Sequence, residues 1–392
     1  MTPSARVQAG IELLDEVMAS ARDDGPPADA IVAAYFKTRR YAGSKDRRAV
    51  RELVFRAIRR SAEIPDSGRS AMLGLSADDR AILDSFTGPP HGPEPVVKGE
   101  KRTKPGVVPL WVGKLFSPLV APGEWPALVD RAPLDIRVNT ARTTRDAIAE
   151  AFPGAEPTPL SPWGLRLPPD SRVDQSLSFA EGLVEVQDEG SQLIALACAA
   201  KPGTRIVDLC AGAGGKALAL AAATGNGAEI IACDTNRQRL QRLAPRADRA
   251  GASITTQLLN PPREAIELAH LIATADLVLV DAPCSGSGTW RRSPEGRWRL
   301  TAHRLDRVVA LQARVLDLAA PLVKPGGALV YAVCSLIGRE GADQVAAFLS
   351  RHSGWTVQEP FEAIGRADGP GRLLTPGHDE TDGFFVARLL RS

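Results

Sequence analysis

Two short apolar runs in this chain each end at a cysteine. Ala275-Asp276-Leu277-Val278-Leu279-Val280 leads into Asp281-Ala282-Pro283-Cys284-Ser285-Gly286, and Gly327-Ala328-Leu329-Val330-Tyr331-Ala332-Val333 leads into Cys334-Ser335. Short β-branched runs bounded by Pro and Gly predict buried parallel strands. In open α/β sheets, ligands sit just outside the carboxyl ends of such strands. With both strands in one sheet, two thiols and a carboxylate converge where chemistry would occur. A thiolate is a nucleophile and a carboxyl group can move a proton, so the set suits covalent catalysis. The competing reading is a pair of small buried hydrophobes. Matching strand-end positions, one of them within Asp-Ala-Pro-Cys, weigh against it.

A second constellation lies upstream. The run Arg205-Ile206-Val207-Asp208-Leu209 is followed by Cys210-Ala211-Gly212-Ala213-Gly214-Gly215-Lys216 and then by a helical pattern. Glycines there let the backbone turn tightly and approach a ligand that faces a helix N-terminus. Ala217 after Lys216 excludes a Walker A loop, and the G-x-G-G spacing does not fit G-x-G-x-x-G. Asp234 closes the next strand-like run, where an acidic residue suits hydrogen bonds to ribose hydroxyls. The alternative for Asp234 is a helix cap. Loop and carboxylate together fit an adenosine-containing cofactor, without separating NAD from S-adenosylmethionine (SAM).

The elements that must position these residues alternate from Leu183 onward. Strand-like pieces are Arg205–Leu209, Glu229–Cys233, Leu277–Asp281 and Ala328–Cys334, and helical pieces are Lys216–Ala223, Gln238–Ala250 and Leu305–Leu322. Such alternation predicts a doubly wound, mainly parallel α/β sheet. Residues 109–182 predict a small α+β unit, with strands near Leu134–Asn139 and Leu165–Leu167 and a helix near Thr144–Phe152. Residues 1–86 read as helical, with Val7, Ile11, Leu14 and Met18 on one face, Val50, Leu53, Val54 and Ile58 on another, and a cap at Ser44-Lys45-Asp46. Arginines and lysines cluster between Lys37 and Arg60, as an RNA-facing patch or a solvated face. Residues 87–108, rich in Pro, Gly and Lys, predict a linker.

The 392 residues carry a net charge of only +2, so nucleic-acid binding would have to come from local patches. Five cysteines without a C-x-x-C pair argue against a disulfide framework or a structural metal site. No apolar run approaches a membrane span, and Met1–Arg6 leads into an amphipathic pattern instead of a signal peptide. The expectation is a reduced, cytoplasmic, monomeric protein without a metal.

The cysteines separate the two cofactors. C5 of cytosine is a poor nucleophile, and a thiolate adding at C6 turns C5 into an enamine carbon able to attack a sulfonium methyl. Protonation at N3 helps that addition, and Asp281 is placed for it. The C5 proton must then leave and the thiol be eliminated, which makes a second basic group useful.

On these residues the chain resembles the RNA 5-methylcytosine methyltransferases of the NOL1/NOP2/Sun group. The carrying segments are Val186-Gln187-Asp188-Glu189-Gly190-Ser191-Gln192, Asp208 through Lys216, Asp281 through Gly286, Tyr331 through Ser335 and Thr381-Asp382-Gly383-Phe384-Phe385. The resemblance spans Leu110 to the C-terminus. Ser44 through Val54 is similar to a NusB-like RNA-binding module. The resemblance implies a Rossmann-like SAM-dependent methyltransferase domain over residues 183–392, preceded by the small α+β unit and an all-α NusB-like N-terminal domain. It implies Cys334 as the nucleophile, Cys284 as the group assisting product release, and Asp281 orienting the base and bordering the cofactor. It further implies that Cys210, Ala211, Gly212, Ala213, Gly214, Gly215 and Lys216 cradle SAM, with Asp234 on its ribose and Asn260 at the adenine. The implied substrate is a cytosine of rRNA, 16S by similarity to bacterial members. The chain differs from the group's usual pattern at Ala213 (Pro), Val333 (Thr) and Asn260 (Asp). Trp290 through Arg299 interleaves aromatic and guanidinium groups beside the Cys284 loop. Arg291, Arg292 and Arg297 are therefore expected to contact RNA; the alternative is a core-anchoring Trp pair. The rival functions are an inactive RNA-binding assembly factor and a DNA-type enzyme with Cys284 as nucleophile.

Overall fold

In the computed structural model, which describes residues 1–392, the spacing of Val7, Ile11, Leu14 and Met18 becomes one buried face of α1 (Pro3–Arg22). Three further helices, α2 (Ala28–Thr38), α3 (Ser44–Arg60) and α4 (Gly68–Leu75), pack with it around a shared apolar core. Thr2 caps α1, and Ser67 with Ser70 forms a capping box on α4. Ser44 is not a cap: it is the first helical residue of α3, behind Gly43. Trp298, far along the chain, is part of the same core.

The chain therefore divides differently from the sequence expectation. One unit comprises Met1–Leu115, Ala121–Arg131 and Thr289–Ala302; the other comprises Phe116–Val120, Ala132–Gly288 and His303–Ser392. Residues 87–108 are not a free linker. Gly106 donates to the Arg60 carbonyl (2.9 Å) at the end of α3, where helix geometry leaves acceptors open, and Thr103 donates to the Ser70 carbonyl (3.0 Å). The Arg69 guanidinium grips Glu100 and the Glu94 carbonyl.

The second unit holds two sheets. The smaller is antiparallel, ordered β2 (Glu156–Pro157), β3 (Gly164–Leu167), β1 (Leu134–Val138), β4 (Val184–Val186). In the larger, β5 (Arg205–Asp208), β6 (Glu229–Asp234) and β7 (Ile254–Leu258) run parallel and progress to one edge. The chain then returns to the other side of β5 with β8 (Ala275–Asp281) and β9 (Val323–Val333), both parallel to it. The strands β10 (Trp355–Gln358), β11 (Arg366–Asp368), β12 (Gly371–Leu374) and β13 (Phe384–Arg391) complete this sheet in antiparallel fashion, with β13 against β9. The order therefore reverses between β5 and β8, a topological switch point where α/β proteins bind ligands.

Most expected elements coincide with observed ones to within a few residues. The helix expected over Gln238–Ala250 is broken into Arg237–Leu240 and Leu243–Ala250. Pro245 has no N–H to return to the Gln241 carbonyl, and it fits only in the first turn of a new helix.

Candidate active site

At the carboxyl ends of β5, β6, β8 and β9 lies a cavity of about 640 Å³, lined by Cys210, Asp234, Asp281, Cys284 and Cys334 among others. Each of these follows or closes a strand, as the sequence implied. The two sulfurs are 3.3 Å apart. The hydrogen bond with Cys334, and then burial, push the Cys284 thiol well above its ordinary range, so Cys284 is held in the neutral form. Such a thiol can give a proton beside a reacting sulfur.

Lys216, the first-turn lysine of the helix Gly215–Ala223, places its ammonium 2.6 Å from an Asp281 oxygen. Burial would depress this ammonium, but the Asp281 carboxylate overrides it and the pKa is raised. Lys216 therefore stays charged, and its contact fixes the Asp281 carboxylate beside the thiols. Asp208, at the end of β5, is buried. Burial first, and then the Asp281 charge, push its carboxyl up to about 7, against the opposing pull of Lys216. Part of the negative charge at this strand end is thereby removed at neutral pH.

The glycine loop is held from several sides. Asp234 accepts from the Gly212 amide (2.7 Å) and the Asn236 amide (2.6 Å). Arg246 donates to the Ala213 carbonyl and Arg137 to the Gly215 carbonyl (2.8 Å). Gly214 has φ +81°, and a Cβ there would lie 2.5 Å from Leu243, so the loop needs glycine at this position. Each carboxylate oxygen of Asp234 uses one acceptor site on these two amides and has a second, and Asp234 lines the cavity. An adenosine-type ligand fits this set: a ribose acceptor, a glycine-permitted close approach and enough volume.

Asn260 is a correction. It is exposed, and its side-chain amide donates to Glu267 (3.0 Å), as does its backbone amide (2.8 Å). Its neighbours Leu259 and Pro261 line the cavity instead.

The RNA-contact expectation for Arg297 and Arg291 is also corrected. Arg297 is 2% exposed and donates to the carbonyls of Pro294 (2.9 Å), Ile58 (2.6 Å) and Val107. Burial pushes it down to about 10. Trp298 donates to the Ser61 carbonyl (2.9 Å), Trp290 and Arg291 are buried, and Arg292 is half-buried. The segment is an internal anchor of the helical unit, as the alternative reading had it. Arg297→Ala, which strands four carbonyls once that of Arg59 (3.3 Å) is included, should lower stability by roughly 2–4 kcal/mol in urea unfolding while RNA affinity per folded molecule is unchanged.

Sequence reasoning missed Glu340. Fully buried, it joins the two cysteine loops. One carboxylate oxygen accepts from both the Ser285 and Ser335 hydroxyls (2.5 Å each). The other accepts from the Ser285 amide (2.7 Å) and the Gln312 side chain (3.0 Å), which also donates to the Pro283 carbonyl. The residues after each cysteine therefore share one anion. The available signal was a single acidic residue six positions after Cys334. The segment Val186–Gln192 is likewise structural: Asp188 accepts from the Asp382 amide, and Glu189 from the Leu160 and Ser161 amides.

Comparison with known proteins places the chain. Residues 195–390 match the family described as 16S rRNA methyltransferase RsmB/F. The ribosomal RNA small subunit methyltransferase B of Salmonella paratyphi C (strain RKS4594) is 35% identical over 278 residues, covering 69% of this chain and 63% of that protein. The match thus spans less than two thirds of the relative's length. In fold, the crystal structure of PH0851 superposes with a TM-score of 0.75 at 21% identity over 99% of both chains. The crystal structure of NSun6 from Pyrococcus horikoshii with SFG gives 0.63 at 20% identity, covering 72% of this chain and 96% of that one. The chain belongs to the 16S rRNA methyltransferase RsmB/F family.

Proposed function

We propose that this protein transfers a methyl group from SAM to C5 of a cytosine in 16S rRNA, with Cys334 forming a transient bond to C6. The observation that carries this reading is the pair of thiols 3.3 Å apart at the switch point, beside the Lys216–Asp281 ion pair and in the same cavity as Asp234. An adenosine-binding protein without covalent chemistry has no use for two cavity-lining sulfurs at that distance.

The target base must be splayed out of its stack to reach them. The Cys334 sulfur, as thiolate, adds to C6 while N3 gains a proton, and the pyrimidine becomes an enamine nucleophilic at C5. Asp281, held by Lys216, borders both base and cofactor and orients the ring for this step. SAM supplies the electrophilic methyl. After transfer, the C5 proton passes to water, its electron pair restores the C5–C6 double bond as the S–C6 pair returns to sulfur, and N3 gives back the proton it gained, which regenerates the Cys334 thiolate. Cys284, a thiol within contact of the nucleophile, serves the release stage. Asp234 holds the ribose and the loop around Gly212 at once.

Incubating the protein with methyl-tritiated SAM and 16S rRNA should label RNA, and nucleoside analysis should place the label in 5-methylcytidine. Label in another nucleoside, or none, would contradict the proposal. Asp234→Ala should weaken SAM binding by roughly 1–3 kcal/mol in calorimetry, because both the ribose acceptor and the Gly212 tether are lost. Unchanged affinity would remove Asp234 from the cofactor site.

A further inference from the structure

In the helical unit, the segment expected to be a linker forms one wall of a second cavity, also about 640 Å³. Its apolar lining includes Ala62, Ile64 and Val108, and Lys101, Arg102 and Lys104 line it as well. Leu110, another lining residue, is 80% exposed. The three cations are presented on a fixed backbone, because Thr103 and Gly106 between and beyond them donate to Ser70 and Arg60. Packing leaves little freedom: a Cβ at Gly74 would meet the Thr103 carbonyl at 2.6 Å, and one at Gly106 would meet Ala62 at 3.0 Å. Lys101 has an exposed partner in Asp66 (3.1 Å), whereas Arg102 and Lys104 have no ion pair. Three of the six α3 arginines that made this unit look basic are tied in ion pairs: Arg51 to Asp29, Arg56 to Asp79 and Arg60 to Asp78.

We propose that this groove binds a single-stranded segment of the RNA substrate, with phosphates against Arg102 and Lys104 and a base on the apolar lining; it rests on the reading of RNA as substrate. Unpaired cations on a rigid backbone meet a polyanion without first breaking an internal bond. Apolar lining beside them suits unstacked bases, whose faces a duplex does not offer. An acidic protein segment would use the cations but leaves the exposed Leu110 and the apolar lining without a purpose.

The test uses the full chain, a short unstructured fluorescein-labelled RNA, and anisotropy across a potassium chloride series. Arg102→Glu/Lys104→Glu should raise Kd at least about tenfold near 0.1 M salt and make the log–log salt slope shallower by about 1.4, at ~0.7 per released phosphate contact. Arg102→Lys/Lys104→Arg should bind like wild type. Neither side chain has an ion-pair partner, so thermal unfolding and SAM binding should not change. Wild-type Kd and slope in the charge-reversed variant would overturn the proposal. So would loss of poly-glutamate binding with RNA binding intact, which would identify an acidic protein as the occupant. If the wild-type chain itself binds no RNA while still binding SAM, the failure lies with the substrate reading.

Discussion

Cys334→Ser should lower methyl transfer to RNA by at least about a thousand-fold while SAM affinity stays within a factor of about two. A serine hydroxyl is far less ionised than a thiol near neutral pH and is a poorer nucleophile toward C6. The fall corresponds to roughly 4 kcal/mol of transition-state stabilisation. The cofactor contacts proposed above lie elsewhere, on Asp234 and the loop ending at Lys216, so calorimetry with SAM separates lost chemistry from lost binding. The measurement is single-turnover transfer of tritiated methyl groups. Wild-type transfer by Cys334→Ser would mean that the nucleophile has been misassigned, and retention of Cys334-independent activity with loss in Cys284→Ala would favour a DNA-type assignment.

Glu340→Ala should produce the next largest effect. The substitution leaves two hydroxyls, one amide and the Gln312 side chain without their shared acceptor. The Cys284–Ser285 and Cys334–Ser335 loops then lose the anion that sets the spacing of their sulfurs. Displacements near 1 Å at reacting groups can reduce rates by about a hundred-fold. Glu340 touches neither base nor cofactor in this account; it is a positioning residue. The expected pattern is therefore a fall in kcat of about that size with KM for RNA and Kd for SAM unchanged. Unfolding stability should also drop by roughly 3 kcal/mol. Glu340→Gln, which keeps two acceptor sites on one oxygen, should recover most of the stability but only part of kcat. A variant that loses stability yet turns over at the wild-type rate when folded would assign Glu340 a structural role alone.

The strand-end logic was legible because it depends on local pattern. Runs such as Leu277–Asp281 and Ala328–Val333 announce buried parallel strands, and the fold rule then puts whatever follows them at one edge. What failed was non-local. The Trp290–Arg299 segment has the same composition whether it faces RNA or carbonyls, and only packing with Ile58 and Ser61 decides between them. Residues 87–108 have linker composition, yet Pro-bounded chain with free amides can dock on open carbonyls such as that of Arg60. The boundary near residue 86 was misplaced for the same reason, since one unit draws on three separate stretches of chain. Asn260 was the counterpart of the group's Asp at the adenine, but a resemblance in sequence says nothing of a side chain that turns to Glu267. Glu340 carried no pattern of its own; its role appears only when both cysteine loops are in place.

The central claim is that Cys334 and Cys284 act in sequence on one cytosine. Cys284→Ala, incubated with SAM and 16S rRNA and run on a denaturing gel, tests it most directly. Cys334 remains free to add to C6 and the methyl group can be transferred, but elimination is impaired, so an enzyme–RNA complex carrying the tritiated methyl should survive denaturation. The Cys284→Ala/Cys334→Ser double variant should show none. A complex that persists in the double variant, or one that forms in Cys334→Ser but not in Cys284→Ala, would contradict the account.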